Sequence, residues 1–367
     1  MKILQVIDSL PSTSGGSRFV VNLCRKLSEK GIEVELLLID GKNSHFLEEL
    51  LNQNIKVYSL GVNTNRFHPK YIKLVSNYLD KYDLVHVHIF PTSYIVALAS
   101  LINKNAAPIV FSEHNSFNKR ASNSIFKYVE KFIYSRFNKV IAVGPEVEDF
   151  VIKHLDVDKN KLITVVNGID IQRMDLQPGI SRESLKVSEN DILVLMAARF
   201  STQKDYQTLI RAFIHLPSQF KLIMCGDGPE RPACEMLVKE LKFENRALFL
   251  GNRSDIYSII KTVDIAVLSS YFEGLPLSVL EYMAAKKPVV ATNVEGMNKL
   301  VKGAGVLFKV GNDKELAEEI LKLGMDSAYY DDVSQKCYDR VQKYSLDVMV
   351  ENYIDEYEKV LNNKNEA

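Results

Sequence analysis

Short apolar runs alternate with longer segments of helical periodicity along most of the chain. The first run, KILQVID, leads through a Ser/Gly loop into RFVVNLCRKLSEKG, whose apolar residues recur at helical spacing and stop at Gly31. EVELLLID, HFLEELLNQ and IKVYSL follow, then LVHVHIF, APIVFSEH and KVIAVG, each of these last three followed by a helix-like segment. Apolar runs of this length between amphipathic helices predict parallel strands covered on both faces.

The alternation breaks at NGIDIQRMDLQPGISRESLKVSEND, which is polar, contains a Pro-Gly pair and lacks periodicity. It resumes with ILVLMAARF, YQTLIRAFIHL, FKLIMCGDG, CEMLVKELKF, ALFLG, IYSIIKTV, DIAVLSS and KPVVATN. The expected fold class is α/β, with two Rossmann-like doubly wound domains facing a cleft. The expected boundaries are residues 1–172 for the first domain, 173–190 for a linker and 191–343 for the second domain, with a charged helix at 344–367. Ligands of such sheets bind at the carboxyl ends of the strands.

Composition changes this picture little. A chain of 367 residues exceeds what one core usually serves, which agrees with two domains. Lys+Arg and Asp+Glu are both 46, so the balanced charge argues against a general nucleic-acid binder. Cys24, Cys225, Cys234 and Cys337 lack metal-finger spacing and fit a reduced compartment. The N-terminus reads as a strand rather than a signal peptide, and no apolar run approaches the ~20 residues of a spanning helix. The expected location is cytoplasmic, at the inner face of the cytoplasmic membrane if the chain binds lipid.

Candidate chemistry lies in the loops after the strands. In DSLPSTSGGSRFV, Gly15 and Gly16 open a helix and would let backbone N–H groups approach a phosphate; a plain strand–helix turn is the alternative. Arg199 and Lys204 flank the loop after ILVLMAARF, where two cations suit a diphosphate and a solvated charge pair competes. Gly226 and Gly228 in CGDG permit a tight turn, and a purely structural turn is the stronger reading of them alone. His114 ends APIVFSEH, just after a predicted strand, and a satisfied or exposed histidine is the stronger reading of it alone. His86 and His88 share one face of a strand, but no third metal ligand stands nearby, so they are read as structural.

The stretch YFEGLPLSVLEYMAA combines these features. DIAVLSS before it is a strand, YFEGLP is a loop and LSVLEYMAA is a helix whose first turn suits Pro276. Glu273 then lies in the loop before a helix N-terminus, and Glu281 lies about one turn into the helix. A carboxylate can accept two hydroxyl hydrogen bonds at once, as a ribose diol offers. Dipole compensation explains Glu281 tolerably and Glu273 less well.

Together these segments resemble the retaining glycosyltransferases of GT-B architecture in the large family four, many of them bacterial polysaccharide and lipopolysaccharide transferases. The Gly-Gly loop, DLVHVH, SEH, VVNGID, ARFSTQKDYQTLI, GDGPE, LFLGNRSDIYSIIKTVDIAVLSS and EGLPLSVLEYMAAKKPVVATNVEG occur in order over nearly the whole chain. The two acids with seven residues between them are the most specific part. The resemblance implies that Glu281 holds the ribose hydroxyls of a nucleotide sugar and that Glu273 and His114 face the donor sugar. It implies that Arg199 and Lys204 grip the diphosphate with N–H groups near Gly16, Leu277 and Ser278. Gly226 and Gly274 would line the donor, Asn252 and Arg253 would lie near the base, and the last helix would cross back onto the first domain. Two departures stand out: Lys299 occupies a position where relatives often carry Glu, and Pro276 replaces a Gly of some relatives.

The implied reaction moves a hexose or N-acetylhexosamine from a nucleotide-diphosphate sugar to a glycan or lipid-linked acceptor with anomeric retention. A UDP-sugar is the first expectation for the donor and a GDP-sugar the second. Neither a cofactor nor a metal is expected, since no Asp-x-Asp carboxylate cluster is evident. A front-face route and a covalent nucleophile both stay open. A sugar phosphorylase, a nucleotide-sugar epimerase and a catalytically silent binding subunit are the competing readings. Residues 116–139 carry six Lys/Arg against one Glu among Phe and Tyr, which suits either an anionic membrane surface or an ordinary helix with solvated charges.

Overall fold

A computed structural model describes residues 1–11, 14–42, 44–115, 124–155 and 157–365. The chain forms two compact units, Met1–Gly168 with Leu346–Ala367, and Ile169–Ser345.

The first unit is built on seven parallel strands: β1 (Lys2–Ile7), β2 (Glu33–Leu38), β3 (Lys56–Ser59), β4 (Leu84–His88), β5 (Ile109–Glu113), β6 (Lys139–Ala142) and β7 (Leu162–Thr164). Their order is β3-β2-β1-β4-β5-β6-β7. This is the doubly wound order, with its switch point between β1 and β4. Helices on both faces leave β4 and β5 buried throughout, so their polar residues must find partners inside. His86 accordingly bonds Tyr357 Oη at 2.7 Å and Ser112 Oγ at 2.8 Å, and His88 bonds Gln5 Oε1 at 2.7 Å.

Tyr357 belongs to the last helix, Leu346–Asn365, which packs Leu346, Met349, Val350, Tyr353 and Tyr357 into the core beside the helix Gly15–Glu29. Lys26, nearly buried between these helices, pairs with Asp347 at 3.0 Å. The expected stop at Gly31 coincides with a positive φ of 78° just past the helix end, where glycine carries no Cβ penalty.

The second unit has six parallel strands: β8 (Ile192–Ala197), β9 (Phe220–Cys225), β10 (Ala247–Gly251), β11 (Ile265–Leu268), β12 (Val289–Thr292) and β13 (Val306–Phe308). Their order, β10-β9-β8-β11-β12-β13, repeats that of the first sheet and puts the switch point between β8 and β11. The polar stretch at 173–190 is not loose chain. It contains the end of a short helix, Ile171–Leu176, and a 3-10 turn, Arg182–Leu185. Leu185 is buried in this unit's core, and Arg182 makes a two-pronged bond to Asp264 at 2.9 and 3.0 Å. Composition alone hides such anchoring, because one apolar residue and one ion pair suffice to fix a polar segment.

Candidate active site

In the second unit, the loops leaving β8 and β11 meet at the switch point. Tyr271 donates its N–H to the Gln203 carbonyl at 2.8 Å, and Gln203 Nε2 donates to the Phe272 carbonyl at 2.9 Å. Ser269 Oγ donates to the Lys204 and Asp205 carbonyls at 3.1 and 2.9 Å. This stitching brings Lys204 Nζ onto Glu273 Oε1 as a hydrogen-bonded ion pair. The Glu273 side chain is 8% exposed, so the Lys204 contact replaces hydration that burial has taken away. Arg199 is different. It is exposed, and its guanidinium has no hydrogen-bond or ion-pair partner among the described residues.

The loop carrying Glu273 is held by a glycine that the sequence reading did not single out. Gly296 lies in the first turn of the helix Glu295–Val301, and a Cβ there would stand 2.1 Å from the carbonyl oxygens of both Glu273 and Gly274. Lys299 lies one turn further on, exposed and 3.6 Å from Glu295.

The helix after this loop runs Leu277–Ala284, with Pro276 as its N-cap residue rather than its first helical residue. The first-turn N–H groups of Leu277 and Ser278 have no intrahelical acceptor. Pro276 places its ring ahead of them and offers no side-chain cap. Glu281 is partly buried in this helix, and burial pushes its carboxyl up to about 7, opposed by a hydrogen bond from Tyr257. The next residue, Tyr282, is fully buried and accepts the Ala197 N–H at 2.7 Å, pinning the helix to the end of β8. Tyr257 escaped the sequence reading; a tyrosine inside an amphipathic helix carries no signal that its hydroxyl reaches a carboxylate.

Three strand ends on the other side of β8 are joined backbone to backbone. Ala198 N–H donates to the Cys225 carbonyl at 3.0 Å, Gly226 N–H to Gly251 at 2.8 Å and Phe200 N–H to Asp227 at 3.1 Å. A Cβ at Gly226 would lie 2.1 Å from the Ala198 carbonyl oxygen, and one at Gly228 would lie 2.2 Å from that of Phe200. These glycines therefore serve the approach of a neighbouring loop. Asn252 and Arg253 follow Gly251 in this rim and are exposed, with Arg253 bonded to Asp255 at 2.6 and 2.7 Å.

In the first unit, His114 follows β5 directly. Its ring packs edge-on against Phe19 with centroids 4.8 Å apart. Nε2 is buried without a hydrogen-bond partner among the described residues, and burial holds the imidazole down at about 4, so it is neutral at pH 7. His86 and His88 are likewise held neutral by burial. Gly15 and Gly16 open the helix Gly15–Glu29 behind Ser14, which accepts the Ser17 N–H at 3.3 Å. Among the described residues, a Cβ at Gly15 would meet nothing within 4 Å and one at Gly16 only ordinary contacts from 3.7 Å, so packing against them does not demand glycine there. At the switch point of this sheet, Asp8 pairs with Arg66, a contact absent from the sequence reading.

Residues 13–173 match the family model for Glycosyltransferase Family 4, and residues 179–340 match that for Glycosyl transferases group 1. The chain belongs to the GT-B glycosyltransferases. This glycosyltransferase is 26% identical over 286 residues to the Escherichia coli UDP-Gal:alpha-D-GlcNAc-diphosphoundecaprenol alpha-1,3-galactosyltransferase, covering 71% of each chain. It is 25% identical over 379 aligned positions to the N-acetyl-alpha-D-glucosaminyl L-malate synthase of Bacillus anthracis, covering 98% of each. Its fold is similar to that of a glycosyltransferase from Rickettsia africae, with TM-score 0.80, 22% identity and 99% of each chain covered. It is also similar to that of an Anabaena protein solved with UDP and glucose, with TM-score 0.76, 22% identity and coverage of 98% and 100%.

Proposed function

We propose that this glycosyltransferase moves a hexose or N-acetylhexosamine from a nucleotide-diphosphate sugar, first a UDP-sugar and second a GDP-sugar, to a glycan or lipid-linked acceptor. The setting is cell-surface polysaccharide synthesis, and the anomeric configuration is retained. The observation that carries this reading is the grouping at the β8–β11 switch point. There the Lys204–Glu273 pair, the unpaired Arg199 and the helix start at Leu277 occur in one unit, with Glu281 in that helix. The donor name of the Escherichia coli relative, with its diphosphoundecaprenol acceptor, supports the substrate classes.

In this proposal Arg199, Lys204 and the Leu277 and Ser278 N–H groups stabilise the negative charge that develops on the leaving diphosphate. Positive charge comes from the protein, so the reaction needs no metal. Glu281 accepts the ribose hydroxyls, and Glu273, steadied by Lys204, faces the donor sugar. His114 contacts that sugar as a neutral hydrogen-bonding group. Asn252 and Arg253 belong to the base-binding rim. Gly15 and Gly16 allow close approach of the donor, a reading supported by the absence of close packing against them among the described residues. Gly226 acts indirectly, by holding the Arg199 loop.

Among the described residues, no helix is long and apolar enough to cross a membrane. The helix Ser124–Ser135 exposes Phe126, Tyr128 and Phe132 beside Lys127, which supports peripheral contact with an anionic lipid surface. Residues 116–123 of the basic stretch lie outside the described residues.

A thermal-shift screen with UDP, GDP, ADP and their sugars tests the donor class, because a ligand that binds only the folded state raises the melting point. Transfer by the responding donor in excess EDTA, with NMR of the new anomeric centre, tests metal independence and retention. Phosphate-dependent release of the sugar would point to a phosphorylase, and conversion of the donor without acceptor to an epimerase. Flotation with anionic vesicles tests the lipid surface.

A further inference from the structure

Glu113 ends β5 and is 5% exposed, yet it makes no ion pair among the described residues. Four donors converge on it instead. Oε1 accepts the His114 N–H at 3.0 Å, the Asn115 N–H at 2.9 Å and Asn115 Nδ2 at 2.9 Å. Oε2 accepts the hydroxyl of Tyr134 at 2.5 Å. Tyr134 is itself buried, near the end of the helix Ser124–Ser135, with its ring edge-on to Phe111 at 5.3 Å.

Strand alternation accounts for the placement. Phe111 and Glu113 point to the face covered by that helix, while Ser112 points to the opposite face and bonds Tyr353 Oη at 3.0 Å. Burying a carboxylate is costly unless donors replace its hydration. A glutamine, serine or apolar residue would close a strand end more cheaply. The three N–H donors all come from the two residues that carry the chain past β5, and one of them is the His114 backbone itself. Phe19 supports the ring of His114 from the other side. The backbone and the ring of His114 are therefore fixed by separate partners, and Glu113 fixes the backbone.

We propose that Glu113 is a positioning residue for sugar transfer, which acts by holding His114 in place and ties it through Tyr134 to the helix Ser124–Ser135. This rests on the assignment of His114 to the donor sugar made above.

The test is a double-mutant cycle on the full chain. The reaction followed is nucleotide release from whichever of UDP-glucose, UDP-galactose, UDP-N-acetylglucosamine, UDP-N-acetylgalactosamine and GDP-mannose is turned over fastest. Glu113→Ala is expected to lower kcat by roughly tenfold or more with less than about a threefold change in donor KM. Glu113→Gln keeps an oxygen for the loop N–H groups and an amide for Tyr134, and is expected to restore most of kcat. In a His114→Ala background, Glu113→Ala should cost nothing further.

Equal losses in both backgrounds, or wild-type kcat in Glu113→Ala, overturn the proposal. Wild-type kinetics in His114→Ala alone remove the assignment of His114 and the proposal with it, and this result is distinct from the other two. If Glu113→Ala does not fold, Tyr134→Phe takes its place in the same cycle. It removes a single hydroxyl and is expected to lower kcat severalfold only while His114 is present; a loss independent of His114 overturns the proposal equally.

Discussion

Lys204 and Glu273 form an ion pair between the loops that leave β8 and β11. They are 69 residues apart in the chain, and neither loop alone would hold them together. Their side chains are 18% and 8% exposed, so removing one strands the other in poorly hydrated surroundings. Lys204→Ala should therefore lose ~1–3 kcal/mol of stability and at least about tenfold in kcat. Adding Glu273→Ala should return much of the stability and none of the activity. Chemical denaturation and donor turnover measured on the same preparations separate the two effects; full activity in Lys204→Ala would sink the diphosphate assignment.

Arg199 provides the contrasting case. Its guanidinium is exposed and unpaired, so Arg199→Ala should change stability by no more than about 0.5 kcal/mol. If it grips the leaving diphosphate, kcat should fall by roughly 10- to 1000-fold. An unchanged rate would leave the diphosphate to Lys204 and the helix N-terminus.

Glu281 links donor binding to pH. Its carboxyl is raised from 4.5 to about 7 by burial. Only the ionised form accepts both ribose hydroxyls, so donor KM should rise as pH falls below about 7, by roughly tenfold per unit once the acid form dominates. Stability runs the other way. Folding favours the protonated acid, so this group's contribution is complete below about 4.5 and is lost as pH rises to about 7. Glu281→Gln should flatten the pH dependence of KM and weaken the donor. It should also stabilise the fold at about pH 8 by on the order of 1–2 kcal/mol. Urea unfolding of both proteins at about pH 5 and about pH 8 reads the difference, and a variant no more stable at the higher pH contradicts the burial penalty.

Gly296 controls the loop that carries Glu273. Gly296→Ala drives a Cβ into two carbonyl oxygens at 2.1 Å, so the loop or the helix must move. The expected cost is ~1–3 kcal/mol in stability together with a fall in kcat, without loss of a single polar contact made by the Gly296 side. Kinetics at wild-type level would show that the position of the Glu273 loop tolerates displacement.

Much of the site was legible because it is local. Glu273 and Glu281 fall in a strand-to-helix junction that periodicity alone locates, and Arg199 and Lys204 follow a strand visible as an apolar run. Gly226 and Gly228 were legible as a turn, but the loop of residues 198–200 that presses on them was not. Pro276 fell one position outside the helix rather than inside it, a shift within the fraying of any helix end. The shared face of the histidines on β4 was legible, but their partners were not: Tyr357, which bonds His86, lies 271 residues away, and Gln5, which bonds His88, lies 83 residues away.

By itself the sequence determined the alternation of buried strands and amphipathic helices, and with it two parallel sheets whose loops carry the polar residues. That information is periodic and needs only neighbouring residues. Only the tertiary structure decided which cation meets which acid, that Tyr257 bonds Glu281, and that Glu113 gathers the loop of His114. Those contacts join segments distant in the chain or turn on how a side chain is oriented. Their strength comes from burial, a property that no residue has until the others have packed around it.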